Sequence, residues 1–464
     1  MSNSTQTLRP VAVLVAAIAP ILLMSACATN TSSPQDSTNA NTVTYYTSKT
    51  PYQPRDHYRH YSRPPAGYEL ISIQHVARHG SRGLSSPDSD DLVLQLWLQA
   101  QRERALTQLG LELGPAVIEL MSIHHQLGYG QLSGLGQQEH RQIAERVIVR
   151  HQQKLAELDA LKTFGVMHSG RLRASQSGEA FMDGWLAIRP NDNQRFLPSY
   201  ANKKVVYFHS AEGSEGYDAY KEGPRVAAVL NNYLQDGRTQ QASHNTLLAL
   251  FSPEFVQRLA QGEYEFHAHT DPNDKVTNAE EAALAIYDLF AIATNLSVEH
   301  APDFTRFVPV EARDWFAEID DADSFYGRGP GFADEDISFA AAEHLVRDMY
   351  ERAQAVAAGK SNEFAMFRFT HAQALMPVAT WLGLPNATQA AEAGIPYSYT
   401  NNPWRAALIS PMSANIQWDI YQNEDGHTLV RMLWNEAETA FAAQCTAFIG
   451  SFYTLDEIAN CYSL

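Results

Sequence analysis

Residues 68–77 (YELISIQHVA) form a compact apolar run with several β-branched side chains, and it stops at Arg78-His79-Gly80. A run of this length, closed by a turn residue, predicts a strand buried inside a sheet. Residues 164–168, 204–209 and 363–370 have the same character. Helical spacing fills the intervals: Val93, Leu96, Trp97 and Ala100 fall at i, i+3, i+4 and i+7, one face of a helix. The pattern continues through 137–158, 175–186 and 371–382, and Ile286, Leu289, Phe290 and Ala293 repeat it in the middle of the chain. Near the end, Ile416, Trp418 and Ile420 alternate, 423–426 makes a turn, and 429–434 returns as a partner strand. Strands alternating with helices predict an α/β fold, a mainly parallel sheet covered by helices on both faces. The long helical middle predicts an added helical subdomain.

The N-terminus has a different character. Residues 11–24 are apolar, broken by Pro20 and preceded by the single base Arg9. The run is short for a bilayer span and fits a signal-peptide core. It ends in Leu23-Met24-Ser25-Ala26-Cys27, which resembles a bacterial lipobox with Cys27 as the lipidated residue; a plain secretory signal cleaved nearby is the alternative. Residues 28–62 are rich in Ser, Thr, Asn, Gln, Pro and Tyr and show no core face, the composition of a flexible tether. The expected organisation is a signal peptide over 1–26, a lipid-anchored tether over 27–62 and a globular domain over 63–464. Within that domain the α/β core takes about 63–90, 160–215 and 360–464, and the helical parts about 91–159 and 216–359. The expected location is the periplasm or outer membrane, with membrane contact through the lipid anchor only. Three cysteines rule out a disulfide-rich scaffold or a four-cysteine zinc site. With Cys27 lipidated, Cys445 and Cys461 remain in an oxidising space, and a disulfide between them is expected.

The chain carries 34 Lys+Arg against 52 Asp+Glu, a net charge of −18. That balance argues against a nucleic-acid binder, and an anionic ligand would need a local basic site. Arg78-His79-Gly80-Ser81-Arg82 supplies one at the carboxyl end of a core strand, where open α/β sheets bind ligands. Guanidinium groups match phosphate oxygens in a planar fork. They also oppose protonation of the histidine between them, and a neutral imidazole can attack phosphorus. Arg173 follows the second strand at a helix start, and His371 follows the fourth. Strand ends thus direct Arg78, His79, Arg82, Arg173 and His371 toward one place.

On these residues the chain resembles the histidine phosphatase superfamily, in its acid phosphatase and phytase branch, and most of all the multiple inositol polyphosphate phosphatases. Arg78 to Arg82 matches the family's RHGxR motif. Residues 132–139 are similar to its LTxxGxxE helix start, with Ser133 for the threonine, and 173–181 to its later arginine helix. His371-Ala372-Gln373 lies where the family has HAE, and Trp404-Arg405, residues 411–415, Tyr421, Asn435-Glu436 and Cys445 follow in family order. The resemblance implies that His79 is the nucleophile and becomes phosphohistidine. It implies that Arg78, Arg82, Arg173 and His371 bind the phosphoryl group, and that no metal or other cofactor takes part. Two departures stand out. Gly83-Leu84 replace a loop proline, and Gln373 replaces the glutamic acid that protonates the leaving oxygen. Glu139, Glu212, Glu215 and Asp218 are candidate substitutes.

Weaker patterns carry less. Gly134-Leu135-Gly136 lacks the third glycine and the preceding strand of a dinucleotide site, His267-Ala268-His269 lacks companion ligands for a metal, and His124-His125 suits a solvated helix end. The expected activity is hydrolysis of phosphomonoesters, foremost inositol polyphosphates such as phytate. The alternatives are a broad acid phosphatase on sugar or aryl phosphates, or a weakly active phosphate-ester-binding lipoprotein.

Overall fold

The computed structural model describes residues 45–464. The signal peptide, Cys27 and the first part of the tether lie outside the described residues. Ten strands occur in the order β1 Glu69–Arg78, β2 Thr163–His168, β3 Tyr200–Ala201, β4 Phe266–His267, β5 Lys275–Val276, β6 Glu363–Thr370, β7 Asn415–Gln422, β8 Thr428–Trp434, β9 Ala437–Thr439 and β10 Phe452–Thr454. Eight of them make one sheet in the order β10-β8-β7-β1-β6-β2-β3, with β9 also paired to β8. β1, β6, β2 and β3 run parallel to one another. The C-terminal hairpin adds an antiparallel half through β7 and β8. The α/β architecture is as expected, and its sheet is mixed, the antiparallel share coming from the hairpin the sequence already marked.

Period-two alternation assigns the two faces. Ile73 and Ala77 of β1, with Ala365, Phe367 and Phe369 of β6, pack on Ile143, Val147, Phe181 and Trp185, from the helices Gly134–Arg150 and Leu172–Ile188. Val76 and Met366 face the other way, toward Met349 and Leu375, from the helices Glu343–Ala357 and Ala372–Trp381. Both faces being covered, β6 is buried along its whole length. Fully buried Arg368 is tolerated there because Asp348 lies 2.5 Å away and Gln74 accepts at 2.9 Å.

Two expectations are corrected. Residues 204–209 are not a strand: Lys203–Val206 is a helical turn and Phe208–Ser210 a 3₁₀ turn. Asn202 caps the first by accepting the Val205 N–H, and a short apolar run cannot by itself distinguish a strand from a buried helical turn. The second correction concerns residues 45–62, which are docked rather than a free tether. Thr47 and Tyr52 are buried, the Tyr52 N–H donates to Glu139 at 3.0 Å and its hydroxyl to Glu436 at 2.9 Å, and Met412 donates to the Thr50 carbonyl at 2.9 Å. Backbone groups and tyrosine hydroxyls hold this segment, so it lacks the apolar periodicity that would have marked it.

Cys445 and Cys461 are bonded, with Cα atoms 5.3 Å apart, tying the helix Leu455–Tyr462 to the loop before it. Among the described residues no helix is long and apolar enough to cross a membrane, and no group of three or more His, Cys, Asp or Glu side chains could hold a metal.

Candidate active site

β1 is the central strand, flanked by β6 and β7, and the loop leaving it is held from both sides. The Arg78 N–H donates to Ala414 and the His79 N–H to Thr370, each at 2.8 Å. The loop then presses against the start of the helix Gly134–Arg150. A Cβ on Gly80 would lie 2.6 Å from the Gly136 carbonyl oxygen, and one on Gly136 would lie 2.2 Å from that of Ser81, so both positions require glycine. Ser133 caps this helix at Gly136 and donates its hydroxyl to the Ser81 carbonyl at 2.9 Å.

Glu139 fixes the loop from behind. Its carboxylate accepts from the Ser81 N–H at 2.8 Å, the Ser81 hydroxyl at 2.7 Å, the Ser413 hydroxyl at 2.8 Å and the Tyr52 N–H at 3.0 Å. These donors belong to the loop and to the segments packed behind it, so the Glu139 carboxylate is taken up in holding the loop. This corrects its candidacy as the acid at the leaving oxygen. Glu212, Glu215 and Asp218 are all exposed, and none of them closes the gap left at Gln373 by a contact to the histidines.

The ring of His79 is buried, and its Nδ1 lies 3.0 Å from the Gly80 carbonyl oxygen. A carbonyl only accepts, so Nδ1 carries the hydrogen and Nε2 keeps its lone pair. Burial, followed by the charges of Arg78 and Arg173, holds the imidazole well below its ordinary range. His371 follows β6 and caps the next helix, with its ring centroid 5.3 Å from that of His79. Its Nε2 lies 2.8 Å from the Ser169 hydroxyl. Ser169 also accepts from the Arg171 N–H at 3.2 Å. The Nδ1 of His371 is buried without a partner.

Three guanidiniums surround the histidines. Arg78 donates to the carbonyls of Ser48 at 2.5 Å and Ser410 at 2.6 Å, and Arg82 to that of Gly83 at 2.6 Å. Arg173 stands in the first turn of the helix Leu172–Ile188. In all three, Nε is buried without a partner. Burial and mutual repulsion pull Arg78 down to about 9, and burial with Arg173 nearby pulls Arg82 to about 10. Buried cations held together without carboxylates favour an anion. Gln373 is half-buried two residues beyond His371, and its main-chain carbonyl lies 2.8 Å from the Nδ1 of His209.

The structure therefore brings Arg78, His79, Arg82, Arg173 and His371 to one end of the sheet, with Gln373 alongside. Sequence reasoning missed Ser169, and it missed His124. His124 is fully buried rather than solvated. Its Nδ1 lies 2.7 Å from Asp90, and its Nε2 accepts the Leu84 N–H at 3.3 Å, steadying the loop after Arg82. Asp90, His124 and Leu84 are too far apart in sequence for spacing to link them. His267 and His269 instead face carboxylates, Glu265 at 3.2 Å and Asp91 at 2.5 Å.

The family model described as histidine phosphatase superfamily (branch 2) matches residues 69–435. No curated protein matches the sequence. The fold is similar to that of a Bifidobacterium longum multiple inositol polyphosphate phosphatase in complex with inositol hexasulfate. The TM-score is 0.83 at 29% identity, covering 90% of this chain and 97% of that one. The same enzyme in complex with phosphate gives 0.83 and 29%, over 91% and 98%. A phytase from D. castellii shares the fold, with a TM-score of 0.63 at 15% identity over 90% and 84%.

Proposed function

The chain belongs to the histidine phosphatase superfamily, branch 2, and from that premise we propose that it hydrolyses inositol polyphosphates through a phosphohistidine on His79. The observation that carries this reading is a neutral imidazole with Nε2 free, set among three guanidiniums whose Nε atoms have no partner. The similar Bifidobacterium longum enzyme, whose complex with inositol hexasulfate is solved, supports the substrate class.

In the first step Nε2 of His79 attacks phosphorus and the bond to the leaving oxygen breaks. Arg78, Arg82, Arg173 and His371 hold the equatorial oxygens as charge shifts in the transition state. The Gly80 carbonyl accepts from Nδ1 throughout and supports the positive charge that the ring gains. The leaving alkoxide takes its proton from solvent water, since the Gln373 amide can only hydrogen-bond to it. Water then attacks phosphorus, the P–N bond breaks, and inorganic phosphate departs with the proton of that water distributed to phosphate or solvent.

Gln373 favours a second reading, a phosphatase best suited to good leaving groups. An amide can donate a hydrogen bond to the leaving oxygen but cannot protonate it. Gln373→Glu is expected to raise turnover of inositol hexakisphosphate far more than that of an aryl phosphate, by up to about 10²- to 10⁴-fold. It is also expected to add a falling alkaline limb to the pH profile. Equal gains on both substrates, or none, would remove the impaired-acid reading.

We also propose export and lipid anchoring through Cys27, supported by the apolar run over 11–24 and the residues before Cys27. Intact-mass measurement of the mature protein tests it; an unmodified N-terminus would leave only a secretory signal.

A further inference from the structure

Arg82 is held by its own loop: one amino group of the guanidinium donates to the Gly83 carbonyl at 2.6 Å. That carbonyl belongs to the peptide joining Gly83 to Leu84. The N–H of the same peptide donates to Nε2 of His124 at 3.3 Å. No peptide bond among the described residues is cis, so the C=O and N–H of this rigid plane point in opposite directions. Fixing the N–H end therefore aims the carbonyl that holds Arg82.

What fixes the N–H end is a buried pair. An imidazole that accepts at Nε2 carries its hydrogen on Nδ1, and Nδ1 of His124 lies 2.7 Å from the Asp90 carboxylate. Both side chains are fully buried. Asp90 stands in the first turn of the helix Asp88–Arg102, where the helix dipole favours a carboxylate, and the Tyr129 hydroxyl donates to the same oxygen at 2.8 Å. His124 stands in the last turn of the helix Gly110–Leu127. Its ring lies against the peptide it holds: a Cβ on Gly83 would fall 2.7 Å from Cδ2 of His124, so only glycine leaves room for the ring there. The partner of Nε2 is a backbone N–H and not a nucleophile, so the pair holds and does not react.

We propose that Asp90 and His124 are positioning residues for Arg82, acting through the Gly83–Leu84 peptide to aim its guanidinium at the phosphoryl group. This rests on the phosphatase reading above and deepens it. Arg82 donates to Gly83, Leu84 to His124 and His124 to Asp90, all in one sense, so each bond polarises the next. The cation is steadied from behind while its Nε stays unpartnered for a phosphoryl oxygen. A carboxylate set directly on Arg82 would compete with the substrate for the same donors.

The test is a double-mutant cycle between position 124 and Arg82. Its readouts are calorimetric binding of inorganic phosphate, which needs no turnover, and kcat/KM on an aryl phosphate. His124→Leu, which removes the acceptor, should lose about tenfold in both. His124→Gln, whose side-chain oxygen can accept the Leu84 N–H, should recover most of that loss. Asp90→Asn, which keeps an acceptor for Nδ1 and removes the charge, should lose less than His124→Leu. In an Arg82→Ala background His124→Leu should cost no more than about twofold, because the residue it positions is gone. Should His124→Leu not fold, Asp90→Asn closes the same cycle. Losses that multiply in the Arg82→Ala background, no loss in His124→Leu, or His124→Gln as costly as His124→Leu would overturn the positioning role. A wild type that binds phosphate with this coupling yet releases none from esters would instead overturn the phosphatase reading.

Discussion

His79 stays neutral because burial and the neighbouring guanidiniums oppose its protonation. Its folded value is depressed, so nucleophilic activity is present above that value and is lost only as pH falls through it, well below the ordinary 6.5. Arg173 is one of the depressing charges, and replacing it with Ala should act twice. Turnover should fall by roughly 10²- to 10³-fold as a transition-state contact is removed, and the acid limb of kcat/KM on an aryl phosphate should move to higher pH. A limb that stays in place would show that Arg173 does not act on the nucleophile. Arg78, His79, Arg82, Arg173 and His371 were legible in the sequence because each lies at or just after a strand end, and the chemistry of a basic turn shows in residue types. Ser169 and the structural role of Glu139 were not. Ser169 meets its partner 202 residues away, and Glu139 meets Ser81 at a separation of 58; no local pattern records such pairs.

Among the elements, β1, β2, β6, β7 and β8 were legible because burial on both faces leaves continuous apolar runs, or a turn that fixes a hairpin. The helical turn at Lys203–Val206 was misread because Val205, Val206 and Tyr207 favour strands intrinsically while their packing made a buried turn. Residues 45–62 have the largest functional consequence. Ser48 accepts from Arg78, Lys49 lies 3.3 Å from Asp288, and Tyr52 donates to Glu139, so this segment braces the pocket. A chain beginning at residue 63 should melt lower and turn over more slowly than one beginning at residue 45, because Arg78 and Glu139 each lose a partner. Equal melting temperatures and rates would show that the docked segment is dispensable.

At the scale of the molecule, a chain of net charge −18 sets three buried guanidiniums with unpartnered Nε atoms, those of Arg78, Arg82 and Arg173, at one end of one sheet, which concentrates anions where the nucleophile is. Keeping histidines buried and neutral has a cost in acid. Burial lowers His75 and His140 to about 3 and His209 to about 4, and His79 and His371 lie well below 6.5 too. Between about 6.5 and 3 the unfolded chain binds more protons at these sites, so their stabilising contribution is complete above that window and is lost as pH falls through it. His151 and His168, also lowered, and the carboxylates of Asp348 and Asp419, held low by neighbouring cations, act in the same direction; Asp321, Glu318 and Asp274, raised by burial, work against them and are outnumbered. The melting temperature should therefore decline from pH 7 toward pH 4. A flat profile would mean that these rings are solvated in the folded state.

The central claim is that His79 carries the phosphoryl group between the ester and water. The most direct measurement is acid-labile, base-stable phosphate trapped on the protein by rapid alkaline quench during turnover of a labelled phosphate ester, with the modified residue located by peptide mass mapping. The account predicts a phosphopeptide containing His79 in the wild type and none in His79→Ala, which should also release no phosphate. Label on another residue, or turnover by His79→Ala at the wild-type rate, would contradict it.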